Sequence, residues 1–273
     1  MTQQLSEYKG FLDKSAENLA GFLKPFVKDV ETYYQWPFDL KEAEKYIDVD
    51  FSGLASPYLQ TVKLKEVLLE RLEACQSYDE RYPFAEYFVA KWGGVGTNKK
   101  LKEALRQFDQ LEDCTSITSL KGVSSWSKYL SLRKPEAAIY DSRVAYSINV
   151  INYLHDNRER FFIIPDGRSP RLNLLDIETL FVDSALSKSS DFITPDDLNH
   201  RQLASRVKKK FYLPERITYP VYLSLLKQTA RGLDLSDAES FKIEMLLFAL
   251  APGAVLEALI KNQVSYKSEL KVI

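Results

Sequence analysis

The sequence predicts an all-α protein. Apolar residues recur with helical spacing in several segments, signals that start helices are frequent, and strand-like segments are scarce. The 273 residues suffice for one sizeable core. We therefore expect a single helical domain over residues 1–273, either one body or two lobes that share a core.

Amphipathic patterns locate the helices. Apolar side chains three and four residues apart lie on the same face of a helix, which buries that face against the core. Segments with this spacing are 62–72, 144–154 and 98–110, the last with Leu101, Ala104, Leu105 and Phe108 on one face.

Two further segments carry helix-start chemistry. Thr194-Pro195-Asp196-Asp197 combines a capping threonine with a first-turn proline and acids, and Ser236-Asp237-Ala238-Glu239 fits a capping box. The best strand candidate is the short apolar run 161–164. Loops are expected near residues 34–39, 48–57, 92–98, 156–170 and 187–195.

The charge balance excludes a broadly basic surface. With 37 basic and 38 acidic residues the formal net charge is −1, so any nucleic-acid binding must use local basic contacts. The N-terminus lacks an apolar signal region, and no apolar run approaches about 20 residues. We expect a cytoplasmic monomer without membrane contact.

Cysteine and histidine are too scarce for a metal or disulfide framework. Cys75 and Cys114 are expected to be buried reduced thiols, and neither they nor His155 and His200 predict a metal cluster. No cofactor is expected.

Three segments allow two interpretations each. The glycine-rich run from Trp92 to Lys100 fits a helix-ending glycine cap followed by a Thr or Asn cap, or a loop whose amides, Lys99 and Lys100 hold an anion. The basic run 206–210 fits a solvated helix end or a phosphate contact. The aromatic run 33–38 fits a lid on the core or a surface that stacks on a ligand base.

The stretch 120–148 carries the clearest chemical pattern. Lys128 lies one turn into a helix, and Asp141 begins the next helix behind the apolar approach 137–140. A desolvated lysine can attack an electrophilic carbon, and a rigid carboxylate can stabilise a developing cation. The alternative is that Asp141 only caps its helix while Lys128 is solvated.

This stretch resembles the catalytic segment of helix-hairpin-helix DNA glycosylases, especially the 8-oxoguanine DNA glycosylases and their archaeal relatives. Leu120-Lys121-Gly122-Val123-Ser124 takes the place of the hairpin and Lys134-Pro135-Glu136-Ala137 that of the connection. Asp141-Ser142-Arg143-Val144-Ala145 is similar to the archaeal start of the catalytic helix.

Two departures from the family pattern affect the assignment. Ser124 replaces the second hairpin glycine, and Ser125 and Trp126 occupy the usual place of the Schiff-base lysine. Lys121 and Lys128, spaced as two lysines are in the archaeal relatives, are the candidates to replace it. Lys128 is preferred because it follows the turn and faces the connection to Asp141.

The resemblance implies a two-lobed bundle with the hairpin and catalytic segment at about 115–155. It implies excision of a flipped base from double-stranded DNA, by Asp141 with a water or by Asp141 with a lysine that forms a Schiff base and cleaves the strand. The base would be an oxidised purine such as 8-oxoguanine or a hypermodified phage base, the latter making this a defence enzyme. The expected DNA contacts are Gly122, Val123, Ser124, Ser125 and Arg143, and the expected base-pocket residues are Trp36, Trp92, Trp126 and Asn98.

Two other classes of function stay open. A non-catalytic DNA-binding or protein-interaction module could keep the hairpin without the chemistry. A helical scaffold with no nucleic-acid role would use Asp141 as a cap and nothing more.

Overall fold

The computed structural model describes residues 6–96, 99–166, 172 and 211–269. Helices dominate these residues and no strand occurs among them, which confirms the all-α class. In chain order the helices are α1 (Lys9–Leu23), α2 (Pro57–Ala74), α3 (Tyr78–Glu86), α4 (Leu101–Asp109), α5 (Val123–Arg133), α6 (Ser142–Leu154), α7 (Glu215–Gly232), α8 (Ser240–Leu250) and α9 (Leu256–Glu269).

Two helices continue into wider π turns. α3 runs into Tyr87–Trp92, and α8 runs into Ala251–Val255. Such turns insert an extra residue into the helical repeat and often occur at functional sites. Single helical turns occur at Val27–Asp29, Val30–Tyr33, Leu40–Ala43, Cys114–Ser116 and Asp237–Glu239.

The predicted strand at 161–164 is reduced to one contact. Phe161 forms an isolated parallel bridge with Tyr212. Both phenylalanines of that run, Phe161 and Phe162, are fully buried, so its apolar character reflects the core rather than a sheet.

The predicted helix-hairpin-helix element stays a prediction. α4 packs against α5, but residues 110–122 connect them and include the turn Cys114–Ser116. Gly122, with a φ of 70°, directly precedes α5 in the left-handed conformation that glycine adopts without strain.

The helix packing brings distant segments to one place. α7 packs against α1 and α8, and α8 also packs against α6. Buried apolar side chains from all of these helices form one cluster in the described part of the chain. The connection between α5 and α6 passes beside α7 and α8, and this neighbourhood forms the candidate site.

The predicted capping box at Ser236 is confirmed, with reciprocal hydrogen bonds between Ser236 and Glu239. The start of α4 differs from the prediction: its N-cap is Lys100, and no side chain caps it. Thr97 and Asn98 lie outside the described residues, as do the predicted helix start at Thr194 and the basic run 206–210.

The one-face pattern of α4 is confirmed for part of its residues. Leu101 and Leu105 are buried and Phe108 is half-buried, whereas Ala104 is exposed. Ala104 instead lies at the rim of a surface cavity described below.

The expectation for the cysteines holds for one of them. Cys114 is buried, but Cys75 is half-exposed because it lies just beyond the last turn of α2. Both thiols are free.

One helical stretch contradicts the expectation that no long apolar segment occurs. Residues 237–262 are long and apolar enough to cross a membrane by length and composition alone. In the apolar 18-residue window of this stretch, 56% is buried inside the fold, which is typical of a core helix.

Candidate active site

The connection between α5 and α6 is fixed by hydrogen bonds from α7. The hydroxyl of Tyr219 donates to the carbonyl of Ala138 at 2.9 Å, and that of Tyr222 donates to the carbonyl of Ile139 at 2.6 Å. All four of these residues are buried. The apolar approach that the sequence predicts at 137–140 is therefore a rigid, largely buried wall.

Asp141 caps α6. Its Oδ1 accepts the amides of Arg143 and Val144, each at 3.0 Å, as a capping aspartate does. The amide of the preceding Tyr140 donates to Oγ of Ser127 at 3.0 Å, which ties the cap to α5. Within the described residues no group donates to Oδ2 of Asp141, so that oxygen is available for a ligand.

Lys128 is buried, with 6% of its surface exposed. Its Nζ donates to the carbonyl of Ser124 at 2.6 Å. Burial lowers the pKa of the Lys128 amine, and the negative charges of Asp141 and Glu244 oppose that shift only in part. The alternative of a solvated Lys128 is therefore wrong.

Gly93 provides the space for the Lys128 side chain. A Cβ at Gly93 would lie 2.6 Å from Cδ and 2.7 Å from Cε of Lys128. The π turn Tyr87–Trp92 brings Gly93 to this position, and the Gly93 amide closes the turn with a 2.9 Å bond to the carbonyl of Phe88. No larger residue fits here without moving Lys128 or the turn.

Asp141 and Lys128 line one cavity, which we call the central cavity. Its volume is about 200 Å³. A dry cavity of about 150 Å³ can hold a benzene ring, so this space suits one flat heterocycle. The lining residues are Tyr34, Trp36, Trp92, Gly93, Gly94, Lys128, Ile139, Asp141, Ser142, Arg143, Glu244 and Phe248.

Aromatic rings and one arginine form a wall of the central cavity. The indole of Trp36 donates to the carbonyl of Trp92 at 3.0 Å, and Trp92 stacks on Phe88 with centroids 4.2 Å apart. The guanidinium of Arg143 lies over Phe248 at 4.6 Å and over Trp36 at 5.6 Å. Stacked and cation–π contacts hold these side chains in place.

Glu244 adds a second carboxyl group. It is 5% exposed, and its Oε2 accepts the Ile139 amide at 2.9 Å. Burial raises the pKa of Glu244 to about 7, opposed by the charge of Lys65. A carboxyl group at that pKa can hold or release a proton near neutral pH.

Two residues predicted for the site lie elsewhere. Trp126 is buried against Phe108, with ring centroids 4.9 Å apart, and its indole donates to the carbonyl of Lys121. The reason is helical geometry: Trp126 and Lys128 are two positions apart on α5 and point to nearly opposite sides. Lys121 is exposed and does not line the central cavity.

Trp126 and Lys121 instead line a surface depression that we call the hairpin cavity, of about 490 Å³. It lies at the N-terminus of α5, where backbone amides and the helix dipole favour anions. Its lining residues are Lys99, Lys100, Leu101, Ala104, Leu105, Gln107, Lys121, Gly122, Ser125 and Trp126.

The predicted DNA contacts divide between the two cavities. Gly122 and Ser125 line the hairpin cavity, whereas Arg143 lines the central one. Val123 is a correction: its side chain is buried and its amide is bonded to the carbonyl of Leu120 at 2.9 Å. The Val123 amide, expected to hold a phosphate, is therefore already bonded within the protein.

Ser124 serves the central site through its backbone. Its carbonyl accepts the Lys128 amine, while its amide has no hydrogen bond among the described residues. Asn98, the remaining base-pocket prediction, lies outside the part of the chain that the structure describes.

Several lining residues were not predicted. Glu244 had a usable signal, because a single acid stands in the apolar run Phe241–Leu250 and is expensive to bury without a purpose. Gly93 and Phe248 had no such signal. In a sequence, a glycine that makes room for a side chain cannot be told from a glycine that ends a helix, and an aromatic residue that lines a cavity cannot be told from one in the core. The unpredicted residues are Tyr34, Gly93, Gly94, Ile139, Ser142, Glu244 and Phe248.

Metal binding has no support in the described ranges, where no group of three His, Cys, Asp or Glu side chains converges. In comparisons with known proteins, no protein-family model, no curated protein and no solved structure matches the chain.

Proposed function

We propose that the protein is a DNA glycosylase that cleaves the N-glycosidic bond of a modified base flipped into the central cavity. One observation carries this proposal: the carboxylate of Asp141 and the desolvated amine of Lys128 line the same cavity. The resemblance of the stretch 120–148 to helix-hairpin-helix glycosylases points to the same pair.

The size and walls of the central cavity support a nucleobase as ligand. Its volume of about 200 Å³ accepts one flat heterocycle, and Trp36, Trp92 and Phe248 offer aromatic surface beside it. A base in a duplex cannot reach such a space, so the target nucleotide would have to leave the stack. Arg143, held over two of these rings, can donate to the base or to its phosphate.

Asp141 would stabilise the positive charge that develops on the sugar as the glycosidic bond breaks. The N-cap bonds fix its Oδ1 and orient the carboxylate before the reaction begins. A charge held in place in a partly dry site stabilises an opposite charge more strongly than water does.

Lys128 would supply the nucleophile in the bifunctional form of the reaction. Its lowered pKa increases the fraction of neutral amine, whose lone pair can attack the anomeric carbon. The new bond joins Nζ to that carbon while the glycosidic bonding pair leaves with the base. The attached nitrogen then loses one proton, and the bond between that carbon and the ring oxygen breaks as the oxygen takes up a proton. The product is a protonated Schiff base, from which the strand can be cleaved by elimination.

The hairpin cavity would hold a backbone phosphate. The amide of Gly122 has no hydrogen bond in the described part of the chain, and Gly122, Lys99 and Lys121 line the same cavity. Phosphates bind readily at such a helix N-terminus. A protein with a net charge of −1 can bind DNA through a local site of this kind.

The test is base release from duplexes that carry one oxidised, deaminated, alkylated or hypermodified base each. We expect the wild type to release at least one of them, and Asp141→Asn to lower that rate at least about a hundredfold, the scale of a lost electrostatic group. Asparagine is as good a helix cap as aspartate, so the variant stays folded.

Other results would favour the rival functions. DNA binding without base release in any duplex would favour a non-catalytic DNA-binding module. No binding even at ~50 mM salt would exclude both DNA functions, because phosphate contacts strengthen as salt falls. Release that depends on Asp141 but gives no borohydride-trapped adduct would indicate a monofunctional glycosylase that uses water.

A further inference from the structure

The central cavity contains two carboxyl groups in unlike surroundings. Asp141 is half-buried and accepts two backbone amides, whereas Glu244 is buried and accepts one, from Ile139. Pairs of acids whose environments differ in this way divide the tasks of acid and base in many enzymes. The assignment of Asp141 to charge stabilisation leaves Glu244 without a role in the reaction.

The free oxygen of Glu244 is available to a ligand. Oε2 is bonded to the Ile139 amide, and no group of the described residues donates to or accepts from Oε1. Glu244 lines the central cavity on α8, one turn before Phe248. A base that packs on Phe248 would therefore lie next to the carboxyl group of Glu244.

We propose that Glu244 is a further catalytic residue of this site, the general acid that protonates the departing base. This inference rests on the proposed glycosylase function and adds a step to it. It also identifies neutral bases as the substrates that need Glu244, because their departure as anions is slow unless a proton is supplied. A base that already carries a positive charge needs no such proton.

The step balances without a further reactant. The glycosidic bond breaks and its electron pair goes to the base, while the proton on Glu244 moves to a nitrogen or oxygen of that base. Glu244 is left as a carboxylate, and the sugar cation is captured by water or by the amine of Lys128. Solvent returns the proton to Glu244 after the base has left.

The groups around Glu244 act on its pKa in both directions, and the net result is a pKa raised to about 7. Burial and the charge of Asp141 raise its pKa, while Lys65, the Ile139 amide and Lys128 lower it. Three buried tyrosines face the same region, and burial raises the pKa of each. The titratable groups that act on or respond to Glu244 are Lys65, Lys128, Asp141, Tyr34, Tyr219 and Tyr222.

The test compares wild type with Glu244→Gln in single-turnover base release from pH 5 to 9. For a neutral modified base, Glu244 should contribute a limb of the wild-type profile that falls as pH rises through about 7, because the acid loses its proton. Titration of Lys128 has the opposite sign, since a neutral amine reacts faster as pH rises. Glu244→Gln should lose the falling limb and release the base at least about a hundredfold more slowly at pH 6.

A cationic base at the same position separates chemistry from folding. We expect Glu244→Gln to release 7-methylguanine within about threefold of the wild-type rate, because general acid catalysis is not needed there. If the wild type releases no cationic base, the pH profile decides alone. A pH profile of the same shape in wild type and Glu244→Gln, or an equal loss on both bases in the variant, would overturn the proposal.

The two proposals fail in different ways. A wild type that releases no base from any duplex contradicts the glycosylase function and removes the step assigned to Glu244 with it. A wild type that releases bases, together with an equally active Glu244→Gln, overturns only the general acid.

Discussion

Gly93 shows how one missing side chain can determine the site. A Cβ at Gly93 would lie 2.6 Å from both the Lys128 side chain and the carbonyl oxygen of Val89, which is fixed in the π turn. We expect Gly93→Ala to displace Lys128 and to lower the yield of any borohydride-trapped adduct at least about tenfold, as small misplacements of reacting groups do. The yield of trapped complex on a gel measures this.

Gly21→Ala is the matched control. Gly21 lies within α1, and a Cβ added there would meet no atom within 4 Å. Alanine in a helix should raise stability by up to about 1 kcal/mol and leave the adduct yield unchanged. An adduct yield in Gly93→Ala equal to that in Gly21→Ala would contradict the role of Gly93.

Single residues also show what the sequence can predict. The placement of Asp141 as an N-cap follows from local rules, because cap, connection and helix are neighbours in the chain. That Asp141 and Lys128 line one cavity does not follow from local rules. The resemblance suggests the pair, and the fold places both residues at the same cavity. Trp126 is predicted in the base pocket but lines the hairpin cavity, because residues two positions apart on a helix point to nearly opposite sides.

At the scale of elements, the start of α6 has two functions that can be separated. Asp141 caps the helix through Oδ1, and no group in the described part of the chain donates to its second oxygen, which the proposed reaction would use. Asp141→Ala should lower the free energy of unfolding by about 1 kcal/mol, whereas Asp141→Asn should change it by only a few tenths. Urea denaturation of both variants measures the difference.

Base release should respond differently from stability. Both variants should lose it, because neither retains the charge. If Asp141→Asn still releases the base, Asp141 is only a structural cap. If both substitutions lower the free energy of unfolding equally, the loss of stability does not come from the missing cap.

Elements that are distant in the chain complete the site, and here the sequence is least informative. The π turn Tyr87–Trp92 brings Gly93 under Lys128, and α8 brings Glu244 and Phe248 to the same cavity. An extra residue in a helix leaves no clear trace in hydrophobic spacing. The contact of α8 with the connection before α6 depends on tertiary packing, which periodicity does not report.

At the scale of the whole molecule, the near-zero net charge predicts few phosphate contacts. DNA affinity should therefore fall only moderately with salt, with a slope of about −0.9 for each phosphate bound. Lys99→Ala and Lys121→Ala, both at the hairpin cavity, should each reduce that slope by about 1. Fluorescence anisotropy at several salt concentrations measures it.

Lys28→Ala serves as control for that series, since Lys28 lies in the turn Val27–Asp29 and lines neither cavity. If the salt dependence of DNA affinity is the same in all three variants, the hairpin cavity is not the phosphate site and DNA binds through another surface.

The most direct measurement of the central claim is borohydride trapping on a duplex with the modified base that the wild type releases, followed by mass spectrometry of the adduct. We predict a covalent adduct at Lys128 that is absent in Lys128→Gln and retained in Lys121→Gln. An adduct at another residue, or one that survives in Lys128→Gln, would contradict the assignment of the buried amine to the reaction.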